Sequence, residues 1–488
     1  MTRLAEGLNR ILWGAPALLG ILGIGIYLTI RLQCVQLTLF PRALRAFLAQ
    51  FRKKQEGPGI SPFQAVCTAL AATVGTGNLV GVAGAVCLGG PGAIFWMWLC
   101  GFLGMVIKYG EAVLAVRFRV KTETGWQGGP MYTILNGMGS RWMPMAKAYC
   151  LFGILAAFGV GNAVQVNASV GAMNRVLDYF GGRESFLGDL LLGTVLAVFL
   201  GRLLLGGAGR IGKAAERLVP FAAGGYILLC IGVLLVRADR IPGAFAAIFQ
   251  GAVSPRAVTG GAIGSAFQAL RTGCSRGVFT NEAGMGTASI AHGAAAVDHP
   301  AQQGLMGIME VFLDTIVICT LTALVILVSG VGIPYGVDAG GDLTVRAFSE
   351  IYGSGAAVFL AAAMLLLAVA TILGWGLYGA RCTEFLFGPG VWRWFALAQA
   401  AAVVAGAVAD TASLWQLAEA VNGLMVIPNL ITLAVLAPEL RRLTKEYRKS
   451  GRKKAGGGNY ADFHQRKPLR TFSHEKVPPS GCGSQEAG

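Results

Sequence analysis

Apolar residues come in long runs along this chain, divided by short polar stretches, from residue 12 to residue 437. A helix needs about 20 such residues in succession to cross the hydrocarbon of a bilayer. The candidate runs are 12–31, 63–88, 92–116, 147–171, 187–204, 217–236, 260–296, 304–329, 354–379, 391–410 and 415–437. The fifth is short, and the seventh is too long and too polar to be one plain helix. The pattern predicts an all-α polytopic membrane protein with about 11 transmembrane helices. The first run, near Leu12–Thr29, lacks a convincing small-residue cleavage site and reads as a true span, not a signal peptide.

Composition sharpens this reading. Charged residues make up 13% of the 488 and mean hydropathy is +0.61, whereas a soluble domain carries about 25% charge. The 71 glycines suit membrane helices, where small residues let backbones approach closely. One transmembrane domain over residues 1–437 is expected, followed by a basic, disordered, cytoplasmic tail over 438–488. The net charge of +16 would suit nucleic-acid binding, but its distribution argues otherwise. Twelve Lys or Arg residues follow Glu439, and the others concentrate in loops. Six of the ten cysteines, Cys67, Cys87, Cys100, Cys150, Cys230 and Cys319, fall inside apolar runs, and no CxxC pair occurs. They read as small buried hydrophobes, with no case for a metal site or a disulfide scaffold.

Loop charges set the expected orientation. Arg42, Arg45, Arg52, Lys53 and Lys54 lie in 32–62; Arg117, Arg119, Lys121 and Arg141 in 117–146; Arg210 and Lys213 in 205–216. With eleven spans these loops share one side with the basic tail. The opposite side receives 89–91, without charge, and 330–353, with Asp338, Asp342 and Glu350 against Arg346, as well as Asp410. Loop 237–259, with Arg237, Arg240 and Arg256, fits poorly. Positive charge stays in the cytoplasm, so the amino terminus is expected outside and the carboxyl terminus inside.

Two runs carry interruptions. The second contains Ala71-Ala72-Thr73-Val74-Gly75-Thr76-Gly77-Asn78-Leu79-Val80-Gly81. Irregular backbone at membrane depth is tolerated where it lines a cavity or is buried in protein. Half-helix amino termini there present N–H groups to a carboxylate, and carbonyls at the facing end coordinate a cation. Packing glycines are the competing reading, and a dinucleotide loop lacks its strand and sheet. The seventh run contains Arg271 and Arg276-Gly277-Val278-Phe279-Thr280-Asn281-Glu282-Ala283-Gly284-Met285-Gly286. Charges there need partners or an aqueous entry, and a re-entrant segment is its competing reading. Spans 2–6 and 7–11 then form two sets of five, each opening on an interrupted helix. Such correspondence points to an inverted-repeat transporter with its site at the repeat interface. The repeats would cover about 63–236 and 260–437.

At these residues the sequence resembles the alanine or glycine:cation symporter family, the sodium:alanine symporters. The matching runs are Gly75-Thr76-Gly77-Asn78-Leu79, Gly89-Gly90-Pro91-Gly92-Ala93, Gly128-Gly129-Pro130-Met131-Tyr132, Arg276 to Gly284, and Gly374-Trp375-Gly376. The resemblance implies an amino acid-polyamine-organocation transporter-like core of five plus five helices with one extra amino-terminal helix. It implies sodium-coupled import of L-alanine, glycine or D-alanine at the plasma membrane, the inner membrane of a bacterium. No cofactor is implied beyond Na+ as coupling ion. Thr76, Gly77 and Asn78 are implied to surround the substrate carboxylate and amine, with Phe279 and Trp375 as walls of the pocket and Thr280 also at the substrate. Thr371 and the carbonyls of Ala72 and Gly75 are implied sodium ligands. The residues agree in chemistry: a hard cation wants oxygen ligands, and helix ends supply the field for a zwitterion without a fixed charge.

Among other polar residues, Glu111, near Lys108, reads as a structural pair with a neighbouring basic group, a coupling group being the alternative; Asp314 has the better claim to function, with buried hydrogen bonding as its alternative, because no basic residue lies near it in sequence. His292 and His299 read as packing or loop residues, and Glu216 as a membrane-edge residue. Proton coupling is the alternative to sodium. An ion channel would need a filter built by repeats or subunits, which is not evident. An enzyme would need paired carboxylates, a metal cluster or a triad, and the loops carry none.

Overall fold

The computed structural model describes residues 15–51, 59–123, 125–337, 340–353, 355–409 and 411–453. Helical segments lie in every one of the apolar runs. In chain order the helices are α1 (Ala15–Arg31), α2 (Phe40–Gln50), α3 (Pro62–Thr73), α4 (Val82–Gly89), α5 (Gly92–Arg117), α6 (Met143–Phe158), α7 (Val164–Tyr179), α8 (Phe186–Leu204) and α9 (Gly207–Val236). They continue with α10 (Ile241–Val253), α11 (Ala266–Asn281), α12 (Ala288–Gly293), α13 (Pro300–Val311), α14 (Thr320–Ser329), α15 (Gly340–Tyr352), α16 (Ala356–Phe387), α17 (Trp392–Ala407) and α18 (Thr411–Lys453). Among the described residues, seven helices are long and apolar enough to cross a membrane, or eight with the bent pair Pro62–Thr73 and Gly77–Gly89 as one span. The protein is an all-α polytopic membrane protein. A small antiparallel hairpin, β1 (Val120–Thr122) and β2 (Gly125–Gln127), sits beside the end of α5.

Burial ranks the helices by position. In α5, 89% of the apolar window is buried inside the protein, against 33% in α8 and 28% in α9. α5 is therefore central and packs on α11 and α13, while α8 and α9 are peripheral and present apolar side chains such as Leu191, Val198, Phe221 and Leu228 outward. In water such faces would be a liability; against lipid tails they are solvated. The interior is continuous, running from Leu28 of α1 through Ile107 and Tyr109 of α5 to Leu440 of α18.

Several expectations need correction. The loops at 237–259 and 330–353 hold helices α10 and α15. Residues 207–216, expected as a loop, are the first turns of α9. The fourth run is lengthened to Met143–Tyr179 and is interrupted by a π-helical turn at Gly159–Ala163. The last helix reaches Lys453, so residues 438–453 of the expected disordered tail are helical. Its last turns are held by tertiary contacts: Arg448 donates to Leu32 O (2.8 Å), Gln33 Oε1 (2.7 Å) and Thr38 Oγ1 (2.8 Å). Residues 454–488, Arg52, Lys53, Lys54, Asp338 and Asp410 lie outside the described residues. The six cysteines expected inside are all buried.

Candidate functional site

The first interruption begins at a well-defined helix. Ser61 and Gln64 form a capping box on α3, with Pro62 in its first turn. α3 ends at Thr73 because Val74 turns extended (φ −76°, ψ 93°). The last carbonyls of α3 thus lie past the reach of helical N–H groups. A π-helical turn, Gly77–Gly81, restarts the helix, and the two halves meet at 51°. Asn78 holds the break from within. Its Oδ1 accepts from Gly75 N at 2.9 Å, and its Nδ2 donates to Asp314 Oδ1 at 2.7 Å. Both polar groups of the Asn78 side chain are therefore engaged in holding the break.

The second interruption uses left-handed backbone. α11 ends at Glu282 (φ +53°), and Gly284 (+96°) and Gly286 (+80°) continue in conformations that favour glycine. A methyl group on Gly286 would lie 2.6 Å from Asn429 Oδ1 and from Pro130 Cγ, so the space excludes one as well. Asn281 holds this break as Asn78 holds the first: its Oδ1 accepts from Ala283 N at 2.9 Å.

The two breaks converge. A methyl on Gly77 would stand 3.5 Å from Thr280 Cγ2 and 3.7 Å from the Phe279 ring. A methyl on Gly75 would stand 2.6 Å from Thr371 Oγ1 and 3.4 Å from Gln165 Oε1. α16 also packs directly on the end of α3, since a methyl on Gly374 would lie 2.8 Å from Ala72 N. Ala72, Gly75, Thr76, Gly77, Asn78, Phe279, Thr280, Thr371 and Trp375 are all buried, and the fold brings them into one region. Thr371 Oγ1 donates to Leu367 O (3.0 Å), which leaves its lone pairs to accept. Thr76 Oγ1 donates to Gln165 Oε1 (2.9 Å).

Trp375 differs from a simple wall. It is fully buried, its indole N–H donates to Glu282 Oε1 (2.9 Å), and a methyl on Gly161 would lie 2.3 Å from its Cβ and Cγ. Glu282 Oε2 accepts from Thr287 Oγ1 (2.5 Å).

Beside this region lies a buried charged cluster. Lys108 Nζ is 3.1 Å from Glu310 Oε1, and His292 Nε2 is 2.8 Å from Glu310 Oε2. Gln303 holds the other ring nitrogen of His292 at 2.7 Å. The expected Lys108–Glu111 pairing is thus corrected. Glu111 Oε1 instead accepts from Gly284 N (2.9 Å) and Asn429 Nδ2 (2.7 Å), tying α5 to the second break. His292 is part of the charged cluster and not a packing residue, while Glu216 accepts from Gln64 Nε2 at 2.9 Å. An ion buried without compensation costs several kcal/mol; here Lys108, His292 and Glu310 face one another from three helices, α5, α12 and α13. Gln165, Thr315, Gln303 and Asn429 were not singled out by sequence. Gln165 follows Gly159-Val160-Gly161-Asn162, a glycine-flanked polar string like that of the first break, and this was the available signal.

The profile of the sodium:alanine symporter family matches residues 1–460. The chain is similar to an uncharacterized transporter of Haemophilus influenzae, 41% identical over 447 residues, covering 91% of this chain and 95% of that protein. It is 40% identical over 449 residues to the sodium/alanine symporter AgcS of Methanococcus maripaludis, covering 91% and 96%. Among solved structures, MhsT in complex with L-phenylalanine superposes with a TM-score of 0.57 at 13% identity, over 78% of this chain and 90% of that one, a likeness of fold. The chain therefore belongs to the sodium:alanine symporter family, and it is a membrane transporter that carries a small neutral amino acid with sodium.

Proposed function

We propose that this chain imports alanine or glycine with sodium across the bacterial inner membrane by alternating access. The reading takes eleven membrane-crossing elements: one amino-terminal helix, then five plus five in inverted repeat over about 63–236 and 260–437. The second and seventh are the interrupted ones. The amino terminus lies outside and the carboxyl terminus in the cytoplasm, in keeping with the basic inner flank of α18. Thr76 and Gly77 open the second half of the first broken helix; backbone bonding there begins at the N–H groups of Asn78, Leu79 and Val80, so those of Thr76 and Gly77 suit the substrate carboxylate. Asn78 keeps that turn in shape. Phe279, Thr280 and Trp375 bound the space for the side chain. Sodium sits between the carbonyls of Ala72 and Gly75 and the hydroxyl of Thr371, an all-oxygen set suited to a hard cation.

The observation that carries this reading is the convergence of both breaks in one buried region, Gly77 against Phe279 and Thr280 and Gly75 against Thr371. The test is uptake of labelled alanine and glycine into proteoliposomes, with and without an imposed sodium gradient. Saturable, sodium-dependent uptake is expected. Uptake indifferent to sodium, or a flux that neither saturates nor exchanges labelled substrate, would overturn the reading.

A further inference from the structure

Between the two breaks runs an unbroken line of side-chain hydrogen bonds. It starts at Gly75 N, which donates to Asn78 Oδ1 (2.9 Å), and Asn78 Nδ2 donates to Asp314 Oδ1 (2.7 Å). Thr315 Oγ1 donates to Asp314 Oδ2 (2.9 Å) and accepts from Asn281 Nδ2 (3.0 Å). Asn281 Oδ1 accepts from Ala283 N (2.9 Å), inside the second break. The two ends are alike. In each break an asparagine uses its carbonyl to hold a backbone amide of its own interruption, and uses its amide to reach the same pair of neighbours, Asp314 and Thr315. Those two residues sit in a π-helical turn, Phe312–Cys319, between α13 and α14. Such turns are often placed at functional sites.

Asn78, Asp314, Thr315 and Asn281 are all buried, none more than 1% exposed. Opening any link would strand a polar group where no water reaches it. A shift of backbone at Gly75 is therefore passed to Asp314, from there to Thr315, and on to Ala283. We propose that Asp314 and Thr315 form a clasp that couples the two breaks, so that sodium at the first strengthens the hold of Phe279 and Thr280, which lead into the second, on the amino acid bound between the breaks. This rests on the siting of the two ligands given above. Asp314 and Thr315 are positioning residues that touch neither ligand. By linkage the coupling must be reciprocal: alanine raises sodium affinity by the factor by which sodium raises alanine affinity.

The test measures that factor on full-length protein in detergent, as the fold by which saturating alanine lowers the half-saturating sodium concentration. Thr315→Val keeps shape and burial, including the contact with Gly101, but removes the hydroxyl between Asp314 and Asn281. It should reduce the coupling factor about fivefold, the weight of one net hydrogen bond, with sodium affinity in the absence of alanine little changed. Asp314→Asn should lower the same factor, and Thr315→Ser should restore it. Thr371→Ala, measured in parallel, should weaken sodium binding itself. An unchanged Thr371→Ala variant would sink the sodium-site assignment. Folded Thr315→Val or Asp314→Asn protein with a wild-type coupling factor would overturn the clasp, wherever sodium binds. The Asp314→Asn measurement decides the matter if Thr315→Val does not fold.

Discussion

Trp375 donates its indole N–H to Oε1 of Glu282 across 2.9 Å, joining α16 to the left-handed residue that ends α11. The contact fixes the ring from one side, and Gly161 leaves it room on the other. Thr287 holds the second carboxylate oxygen, so the orientation of Trp375 depends on residues that need not meet the substrate.

This arrangement predicts how substrate size is limited. Shortening Phe279 or Trp375 to a smaller apolar residue should improve competition by leucine relative to alanine. Leucine adds three carbons, each worth about 0.8 kcal/mol when removed from water, and a rigid aromatic turns that gain into steric cost. Glu282→Ala should relax the limit in the same direction, while Glu282→Gln, which keeps an acceptor for the indole, should preserve it. The measurement is the ratio of inhibition constants for leucine and alanine against labelled alanine uptake. Equal inhibition by both in the wild type would refute the size argument, and an unchanged ratio in every variant would make these aromatics plain core residues.

Sodium coupling is predicted to depend on one hydroxyl. Thr371→Ala should raise the sodium concentration for half-maximal uptake roughly tenfold, the equivalent of about 1.4 kcal/mol of binding. Thr371 Oγ1 faces Gly75, whereas its donor bond to Leu367 O lies within its own helix, so folding should suffer less than ion binding. Unchanged sodium activation in well-folded protein would remove Thr371 from the site.

Orientation is tested at the end of α18. A cysteine introduced by Ser450→Cys should resist membrane-impermeant thiol reagents in intact cells. The background should lack Cys34, which is partly exposed, whereas the other described cysteines are buried. Rapid labelling from outside would reverse the orientation and with it the eleven-span count.

Acid should weaken the amino-terminal end of α13 through His299. Its Nδ1 caps that helix by accepting from Ala301 N (3.1 Å), and its ring packs against Tyr447 at 5.2 Å. Burial, with Arg442 nearby, pushes the imidazole down to about 4 from 6.5. Between those values the unfolded chain binds the proton and the folded chain does not. Stability is therefore present above 6.5 and falls as pH drops toward 4. Below the lower value both states are protonated and the slope vanishes. His299→Asn keeps a capping acceptor without the titration, so its melting temperature in detergent should decline less over that window, by a few degrees. Parallel curves for the two proteins would show that the acid sensitivity lies elsewhere.

The helical runs and the two interruptions were legible along the chain, because each depends on local quantities. Transfer of an apolar run into a bilayer is a sum over its own residues, and glycine at 284 and 286 marks backbone that other residues resist. Hydrophobic order also placed Thr371 and Trp375 at membrane depth, though their roles came from resemblance. Partners were decided by tertiary packing. Lys108 has Glu111 one turn away yet pairs with Glu310, and Glu111 instead serves Gly284 and Asn429. Gln165 meets Thr76, and Asp314 meets Asn78, across 89 and 236 residues. Hydropathy registers what one residue gains by leaving water. A buried hydrogen bond depends on two residues and on the helices that bring them within 3 Å of one another, and the spacing of residues along the chain carries no record of that distance.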